Sequence, residues 1–333
     1  VFCVAQHHCT ALPAGEIPFR LPGFARLAAE PGLGRVTSVQ NNFLSADYPT
    51  IYGLPEFRPF GDDLGVLPMF YFFSLSSRFW GHLADARDFD VGLRLLGAAN
   101  VRWLLFYPGT ALAHPALRTF YDGPDMTVAE NRHALPRAAF FANWTSVPLG
   151  DWRDWSRRDA LFADFSARLR AGLDPARTLA LDEPPAAPPP PGAAGPAPVR
   201  IEEYSPARVR LAVDAPSPGF VFLSDNDFPG WRASVDGTPA RTLRAWISFR
   251  AVQVPAGRST VDFVYRPVRV WAALLLSALC SLAWAARWAA ARARAAPAAD
   301  GAFAAGGAAE LLVAVLVGSS LLFWLVLAAR ALA

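Results

Sequence analysis

The sequence predicts an α+β external domain followed by a small all-β sandwich and two transmembrane helices. Three observations carry that expectation. Residues 199–267 hold short apolar runs rich in Val, Phe and Trp, each closed by a turn signal, and such punctuated runs of four to eight residues form strands. A Pro/Ala-rich tract, residues 182–198, divides that stretch from the mixed pattern before it. Two apolar runs, 268–287 and 311–330, close the chain, each near the length that crosses a bilayer as a helix, ~20 residues.

Bulk composition agrees. The chain has 333 residues, room for two or three domains, and is 53% hydrophobic. A mean hydropathy of +0.23 is too apolar for an ordinary soluble protein and too low for one that is membrane throughout. That mixture fits a soluble body plus a few spans. The net charge is only +3, and every basic residue is Arg, with no Lys. With the excess of Ala and Pro, this is the coding bias of a GC-rich genome, and no nucleic-acid partner is expected. The Arg/Trp stretch 152–158 interleaves acids with its arginines, the pattern of a solvated face.

Taken in order, the first five residues are apolar without a charged segment before them, so they read as the tail of an earlier membrane helix rather than a signal peptide. On that reading the chain is the C-terminal piece of something longer. Cys3 and Cys9 bracket His7 and His8 at a spacing that matches no common zinc motif, so no metal site is expected. A Cys3–Cys9 disulfide and two incidental thiols both stay open. Residues 34–39 predict a strand, 41–44 and 48–54 loop, and 58–63 a turn; Asp62 and Asp63 in it are a carboxylate pair that could share acid/base work, but adjacent residues point apart and a turn is the expectation. Residues 66–98 predict helix; the apolar run 69–75 is too short to span a membrane and is assigned to the core. Gly97 reads as the helix C-cap. Val101–Phe106 predicts a buried strand, and 126–130 and 138–141 predict two more around the loop 131–137. Ser156 can N-cap a helix reaching Ala171, stopped by Gly172 and Pro175, with a last strand at 177–181.

The tract 182–198 predicts an extended, semi-rigid spacer, because so much Pro and Ala buries little apolar area. Beyond it come about seven short strands, enough for a sandwich closed on itself. The apolar run 268–287 follows with almost no linker, and Cys280 within it is a small apolar filler. The connection 288–310 and its flank carry Arg287, Arg292 and Arg294 against Asp300 and Glu310, which marks that loop as cytoplasmic and residues 1–267 as extracytoplasmic. Arg266, Arg269 and Arg330 pull the other way.

Four residues are candidates for binding: Asn131, Arg137, Asp225 and Trp231. Arg137 can hold a lipid phosphate through its planar fork, or pair with Glu130 and brace the loop that also holds Asn131 and His133. Asp225 and Asp227 can bind a cation or a sugar hydroxyl, or cap backbone amides beside the Pro229-Gly230 turn. Trp231 can stack on a sugar ring or fill the core beneath that turn. Asp236-Gly237 reads as a hairpin turn. No Ser-His-Asp set, Gly-rich phosphate loop or His-x-x-x-His pair is visible, so no catalytic residue is assigned.

These stretches also resemble a family. Ser224–Gly237, Phe249–Val252, Pro255–Gly257 and Val261–Pro267 are similar to the C-terminal signature of YfhO-type bacterial membrane proteins. Upstream, Tyr52–Leu54, Gly61-Asp62, Leu96–Leu105 and Glu130–Arg137 are similar to the same family in the same order. Asn131-x-x-Ala134-Leu135-Pro136-Arg137 is the sharpest match, and the likeness covers residues 35–267. The long Pro tract and the second span depart from the family's pattern. The resemblance implies a polytopic protein of the bacterial cytoplasmic membrane, related to GT-C glycosyltransferases, that transfers sugar from a polyprenyl-phosphate donor to cell-envelope glycans. This chain would be its external C-terminal region and last spans. The family's catalytic carboxylate lies in an early external loop, so no position here inherits it and no cofactor is implied for this region. The implied partners are membrane lipid and a lipid-linked sugar or envelope glycan. Two alternatives from other classes are a non-catalytic membrane-tethered scaffold or binding module and a transporter of lipid-linked sugar.

Overall fold

A computed structural model describes residues 2–5, 8–11, 21–38, 48–57, 72, 75–77, 86–148, 158–190, 192 and 195–295. The chain clusters into two units, 1–265 and 266–333.

Unit one begins with a hairpin, β1 (Phe2–Ala5) and β2 (His8–Ala11), in which Phe2 faces Ala11 and Val4 faces Cys9. Residues 2–5, expected as the tail of an earlier membrane helix, instead form a paired strand; Phe, Val and Thr suit extended backbone, and pairing satisfies their polar groups. Helix α1 (Pro22–Ala28) starts on a proline, whose missing N–H costs nothing at that position, and buries Phe24 and Leu27. Strand β3 (Arg35–Ser38) follows. Residues Tyr48–Tyr52, expected as loop, form a 3-10 turn. Phe72 and Leu75 are fully buried, as the core assignment of 69–75 requires. Asn41, Asn42 and the turn at Asp62-Asp63 lie outside the described residues.

Helix α2 (Ala86–Ala98) buries Phe89, Leu93 and Leu96, one stripe at helical spacing, and leads into β4 (Val101–Phe106). The left-handed residue at its end is Asn100 (φ 61°), not the expected Gly97. Gly97 sits inside the helix for another reason: a Cβ there would come within 2.2 Å of the His133 carbonyl oxygen. Strands β5 (Leu117–Asp122) and β6 (Thr127–Asn131) complete a four-stranded sheet in the order β3-β4-β6-β5, with β3 and β4 parallel.

The remaining strands are β7 (Ala138–Phe141), β8 (Trp144–Ser146), β9 (Leu179–Leu181), β10 (Ala197–Pro198), β11 (Arg200–Tyr204), β12 (Arg208–Ala215), β13 (Gly219–Asn226), β14 (Trp231–Val235), β15 (Thr238–Ala240), β16 (Thr242–Ala245), β17 (Phe249–Val254) and β18 (Gly257–Tyr265). Helix α3 (Arg158–Arg170) lies between β8 and β9; Ser156 is outside the described residues, and Gly172 (φ 111°) follows the helix end as expected. The Asp236-Gly237 turn is as expected, with both residues left-handed (φ 50° and 79°) between β14 and β15.

The strands after the Pro tract do not close on themselves. A seven-stranded sheet runs β10-β7-β13-β17-β16-β9-β8, and a five-stranded sheet runs β11-β12-β18-β14-β15. Phe220–Leu223 pair with Phe141–Ala138, and Ala245 pairs with Leu181. The reason lies in β13 and β7, which are apolar at consecutive positions. A strand of that kind needs cover on both faces. Phe220 and Phe222 enter a cluster with Leu93 of α2 and Phe162 and Phe165 of α3. Val221 and Leu223 enter a second cluster with Val209, Leu211, Val261 and Phe263 of the five-stranded sheet.

The Pro tract is a strap on this body and not a free spacer. Proline donates no backbone bond, but its carbonyl and its neighbours' groups still bond. Trp144 Nε1 donates to the Pro189 carbonyl (3.1 Å), Gln253 Nε2 to that of Ala187 (2.9 Å), and Gly192 N to that of Ala142 (2.9 Å).

Unit two contains helix α4 (Val268–Ala295), with Arg266 and Pro267 separating it along the chain from β18. Its segment Val270–Trp288, 19 residues of mean hydropathy 1.6, is long and apolar enough to cross a membrane, and Leu275 and Leu276 are each 63% exposed. Cys280 is an exposed free thiol on it. Among the described residues this is the one such helix; the expected second span at 311–330 lies outside them.

Candidate functional site

Arginines gather around one carboxylate where the two larger sheets meet. Strand β13 runs in register with β17 as far as Leu223, then slips by a bulge before Asn226. Asp225 lies in that bulge, a device that re-aims a side chain at the end of a strand. Ser224 is held beside it: its N–H and its Oγ both donate to the Arg137 carbonyl, at 2.9 and 3.2 Å.

Asp225 Oδ1 accepts from Arg35 Nη2 (3.1 Å), at the start of β3, and from Arg137 Nη1 (3.4 Å), just before β7. The Tyr204 hydroxyl, at the end of β11, donates to the same carboxylate at 3.0 Å from Oδ2. Arg250 of β17 places Nη2 3.6 Å from Oδ2. Backbone carbonyls lock two of these guanidinium groups. Arg35 Nη1 donates to Ala99 (2.7 Å) and Ser224 (2.6 Å), and Arg137 Nη2 donates to Leu33 (2.7 Å). The Arg250 guanidinium carbon lies over the Trp231 ring, 3.7 Å from its centroid, and the Tyr265 ring is 5.4 Å from the same indole. Tyr204, Asp225, Trp231 and Arg250 line an open pocket of about 330 Å³, with Ser205 and Asn226.

The electrostatics follow from burial. Desolvation, with repulsion from Arg137, pushes Arg35 down to about 10 against the pull of Asp225. Burial also lowers Arg250, although Asp225 and Asp227 favour its charged form. Desolvation and the Asp225 charge raise Tyr204, keeping its hydroxyl protonated and able to donate. Burial raises Asp227, which pairs with Arg244 at 3.5 Å.

Of the four residues singled out in the sequence, the structure brings Arg137, Asp225 and Trp231 together and sends Asn131 elsewhere. Asn131 is buried; its Nδ2 donates to the carbonyls of Leu93 (2.9 Å) and Val101 (3.1 Å), and its Oδ1 accepts from His133 N (3.0 Å). It ties helix α2, strand β4 and the turn after β6. Glu130 pairs with Arg102 (2.8 Å) and Arg118, not with Arg137. Asp225 is neither a backbone cap nor a lone ligand but the counter-ion of the arginines. Trp231 is half-buried, and Arg250 occupies one face of its ring.

Sequence reading missed Arg35, Tyr204 and Arg250. Arg250 had a signal, a charge inside the otherwise apolar start of β17, and a buried Arg is rare without a partner. Arg35 had none, because its partner is 190 residues away.

Two carboxylates away from the pocket make stability depend on acid. Burial raises both Asp90 and Glu130, but hydrogen bonds outweigh it and hold them low: Arg94 and His133 on Asp90, Arg102 and Arg118 on Glu130. A depressed carboxylate stabilises the fold above its unfolded pKa of about 4 and loses that contribution as pH falls through the folded value. Asp227, raised, works in the opposite direction and partly offsets them. The urea midpoint of the full chain in neutral detergent is expected to fall between about pH 6 and about pH 3, with a shallower fall in Glu130→Gln. An equal fall in that variant would remove Glu130 from the account.

Among the described residues no group of three or more His, Cys, Asp or Glu side chains could hold a metal ion. The pocket offers hydrogen-bond donors, a carboxylate and aromatic faces. No family model matches the chain, and neither does any curated protein or solved structure.

Proposed function

We propose that this chain is the extracytoplasmic C-terminal region of a polytopic, YfhO-type glycosyltransferase-like protein of the bacterial cytoplasmic membrane, acting on cell-envelope glycans with a polyprenyl-phosphate sugar donor. The catalytic carboxylate lies outside this region, whose role is to position the acceptor or the lipid-linked donor. Residues 199–267 with β7 make a β-sandwich, the loop 288–310 is cytoplasmic, and 311–330 forms a second span. The single observation that supports this most is α4, an exposed apolar helix only two residues beyond the last strand of a β-rich body.

The test begins with the helix. The full chain produced in bacteria is expected to sediment with membranes, to resist alkaline carbonate and to dissolve in detergent. Protease added to spheroplasts is expected to digest residues 1–267. Leu276→Arg with Leu279→Arg puts two charges mid-helix at about 2.5–3.5 kcal/mol each on an insertion scale, and is expected to move the chain into the carbonate supernatant. An unaltered chain that stays soluble removes the reading.

A second reading, a non-catalytic membrane-tethered binding module, is favoured by the pocket, which offers binding groups. Membranes containing the parent protein and a labelled polyprenyl-phosphate sugar separate the two. Label transferred to polymer supports the transferase, and its absence alongside retained glycan binding supports the module.

A further inference from the structure

We propose that the pocket framed by Tyr204, Trp231 and Arg250 is a binding site for a phosphate group, carried by a small phosphate ester or by a lipid headgroup. The inference does not rest on the transferase reading and goes beyond it.

Three guanidinium groups, those of Arg35, Arg137 and Arg250, meet the single carboxylate of Asp225 within 3.6 Å. The next acid, Asp227, also favours the charged form of Arg250 but pairs with a fourth arginine, Arg244, so positive charge stays in excess. The cluster therefore holds a net positive charge in a partly desolvated place, where an unpaired charge is costly. A phosphate monoester carries about −1.5 to −2 charge near neutral pH, which complements such a surplus better than a second carboxylate would.

Arg250 supplies the second, independent observation. Its side chain is only 2% exposed, it lines the pocket, and its Nε and Nη1 have no hydrogen-bond partner among the described residues. Arg137 Nε is likewise buried without one. Buried polar groups are nearly always satisfied, and a cluster that leaves several arginine nitrogens unmade is arranged for an acceptor that arrives later. Desolvation disfavours the charged forms of Arg35 and Arg250, and the charge of an incoming anion would oppose that effect as Asp225 does.

The other walls suit a phosphate attached to something larger. The Tyr204 hydroxyl, held protonated beside Asp225, can turn to a phosphate oxygen. Asn226 lines the same pocket, with its Oδ1 engaged by Ser248 Oγ at 3.1 Å. Trp231, whose indole stacks on Arg250, adds an apolar wall. The pocket is open, so the ligand's body can remain outside. Tyr265, in ring contact with Trp231, precedes α4 by two residues along the chain, which makes a membrane-borne phosphate one of the two sources to be distinguished.

The test uses the full chain in neutral maltoside micelles, at ionic strength held constant with chloride. Calorimetric titration with inorganic phosphate is compared with titration by short-chain phosphatidic acid and by phosphatidylcholine. Saturable binding of phosphate, with or without phosphatidic acid, supports a site for soluble esters. Saturation by phosphatidic acid alone supports a lipid headgroup. Arg250→Gln is expected to weaken either by at least about tenfold, the scale of one hydrogen bond to a charged group. Asp225→Asn, which removes the competing carboxylate, is expected to bind severalfold more tightly and to gain more thermal stability from phosphate than the unaltered chain. A merely structural Asp225 would not produce that gain. Should Arg250→Gln fail to fold, Tyr204→Phe decides, because Tyr204 is 42% exposed and its loss leaves the core intact; a severalfold loss is expected. No saturable binding of either probe overturns the proposal, and so does an affinity unchanged in Tyr204→Phe and in any folded Arg250→Gln.

Discussion

Asp225→Ala is expected to destabilise the protein by about 3–5 kcal/mol, the cost of removing one partner from a buried ion pair and leaving the other uncompensated. The Asp225 side chain is 16% exposed, while those of Arg137 and Arg250 are 4% and 2% exposed. None of these groups can recover full hydration when the carboxylate goes. Arg35 and Arg137 would still be held by the carbonyls of Ala99, Ser224 and Leu33, so like charges would stay close together. The control is Asp214→Ala. Asp214 meets Arg258 at 3.5 Å, but the two are 73% and 90% exposed. A pair of that kind contributes about 0–1 kcal/mol. Urea unfolding of the full chain in neutral detergent, followed by tryptophan fluorescence, measures both. If the two variants lose the same small amount, Asp225 is not the counter-ion that holds the cluster.

Gly97→Ala is the second large effect, and its sign is the informative part. An Ala for Gly exchange inside a helix ordinarily stabilises by up to about 1 kcal/mol. Here the added Cβ would lie 2.2 Å from the His133 carbonyl oxygen and 2.7 Å from its carbon. Those are backbone atoms, which cannot swing aside as a side-chain end would. Overpacking of a tight core costs about 1–3 kcal/mol, and the shift also strains the bond from Leu135 N to the Gly97 carbonyl (3.0 Å). A net loss of about 2 kcal/mol is expected. Gly195→Ala, where a Cβ meets nothing within 4 Å, is expected to be neutral. A stabilised Gly97→Ala would mean that the turn 131–135 moves freely away from α2.

The turn that packs on Gly97 leads along the chain to the pocket. The same turn continues through Leu135 and Pro136 to Arg137, and Asn131 anchors its beginning to α2 and β4. The run Asn131–Arg137 that stood out in the sequence thus has two ends with different duties. One braces the turn against a helix, and the other delivers a guanidinium to Asp225. Sequence reading marked both ends as binding residues, because a polar residue in a distinctive run carries no label saying whether its partner is a ligand or a backbone carbonyl.

What was legible in the chain was local. The Asp236-Gly237 turn, the strand at 101–106, the buried run near Phe72 and the apolar helix after Pro267 all follow from neighbours a few residues apart. The end of α2 was misread for a related reason: a glycine near a helix terminus usually supplies a left-handed cap, whereas Gly97 answers to a loop more than 30 residues away, and Asn100 takes the left-handed conformation. The Pro tract was misread because composition reports that it lacks donors, not that its carbonyls accept hydrogen bonds from Trp144 and Gln253.

By itself the sequence determined the strand at 101–106, the Asp236-Gly237 turn and that the stretch after Pro267 is apolar enough for a bilayer, since each depends on side-chain pattern at short range. Only the tertiary structure decided that β7 crosses the Pro tract to pair with β13, and that arginines from β3, the end of the 131–137 turn and β17 share Asp225. The physical reason is the same in both cases. A strand apolar at every position demands cover on two faces, and a buried charge demands a counter-charge, but neither demand names its supplier until the whole chain has packed.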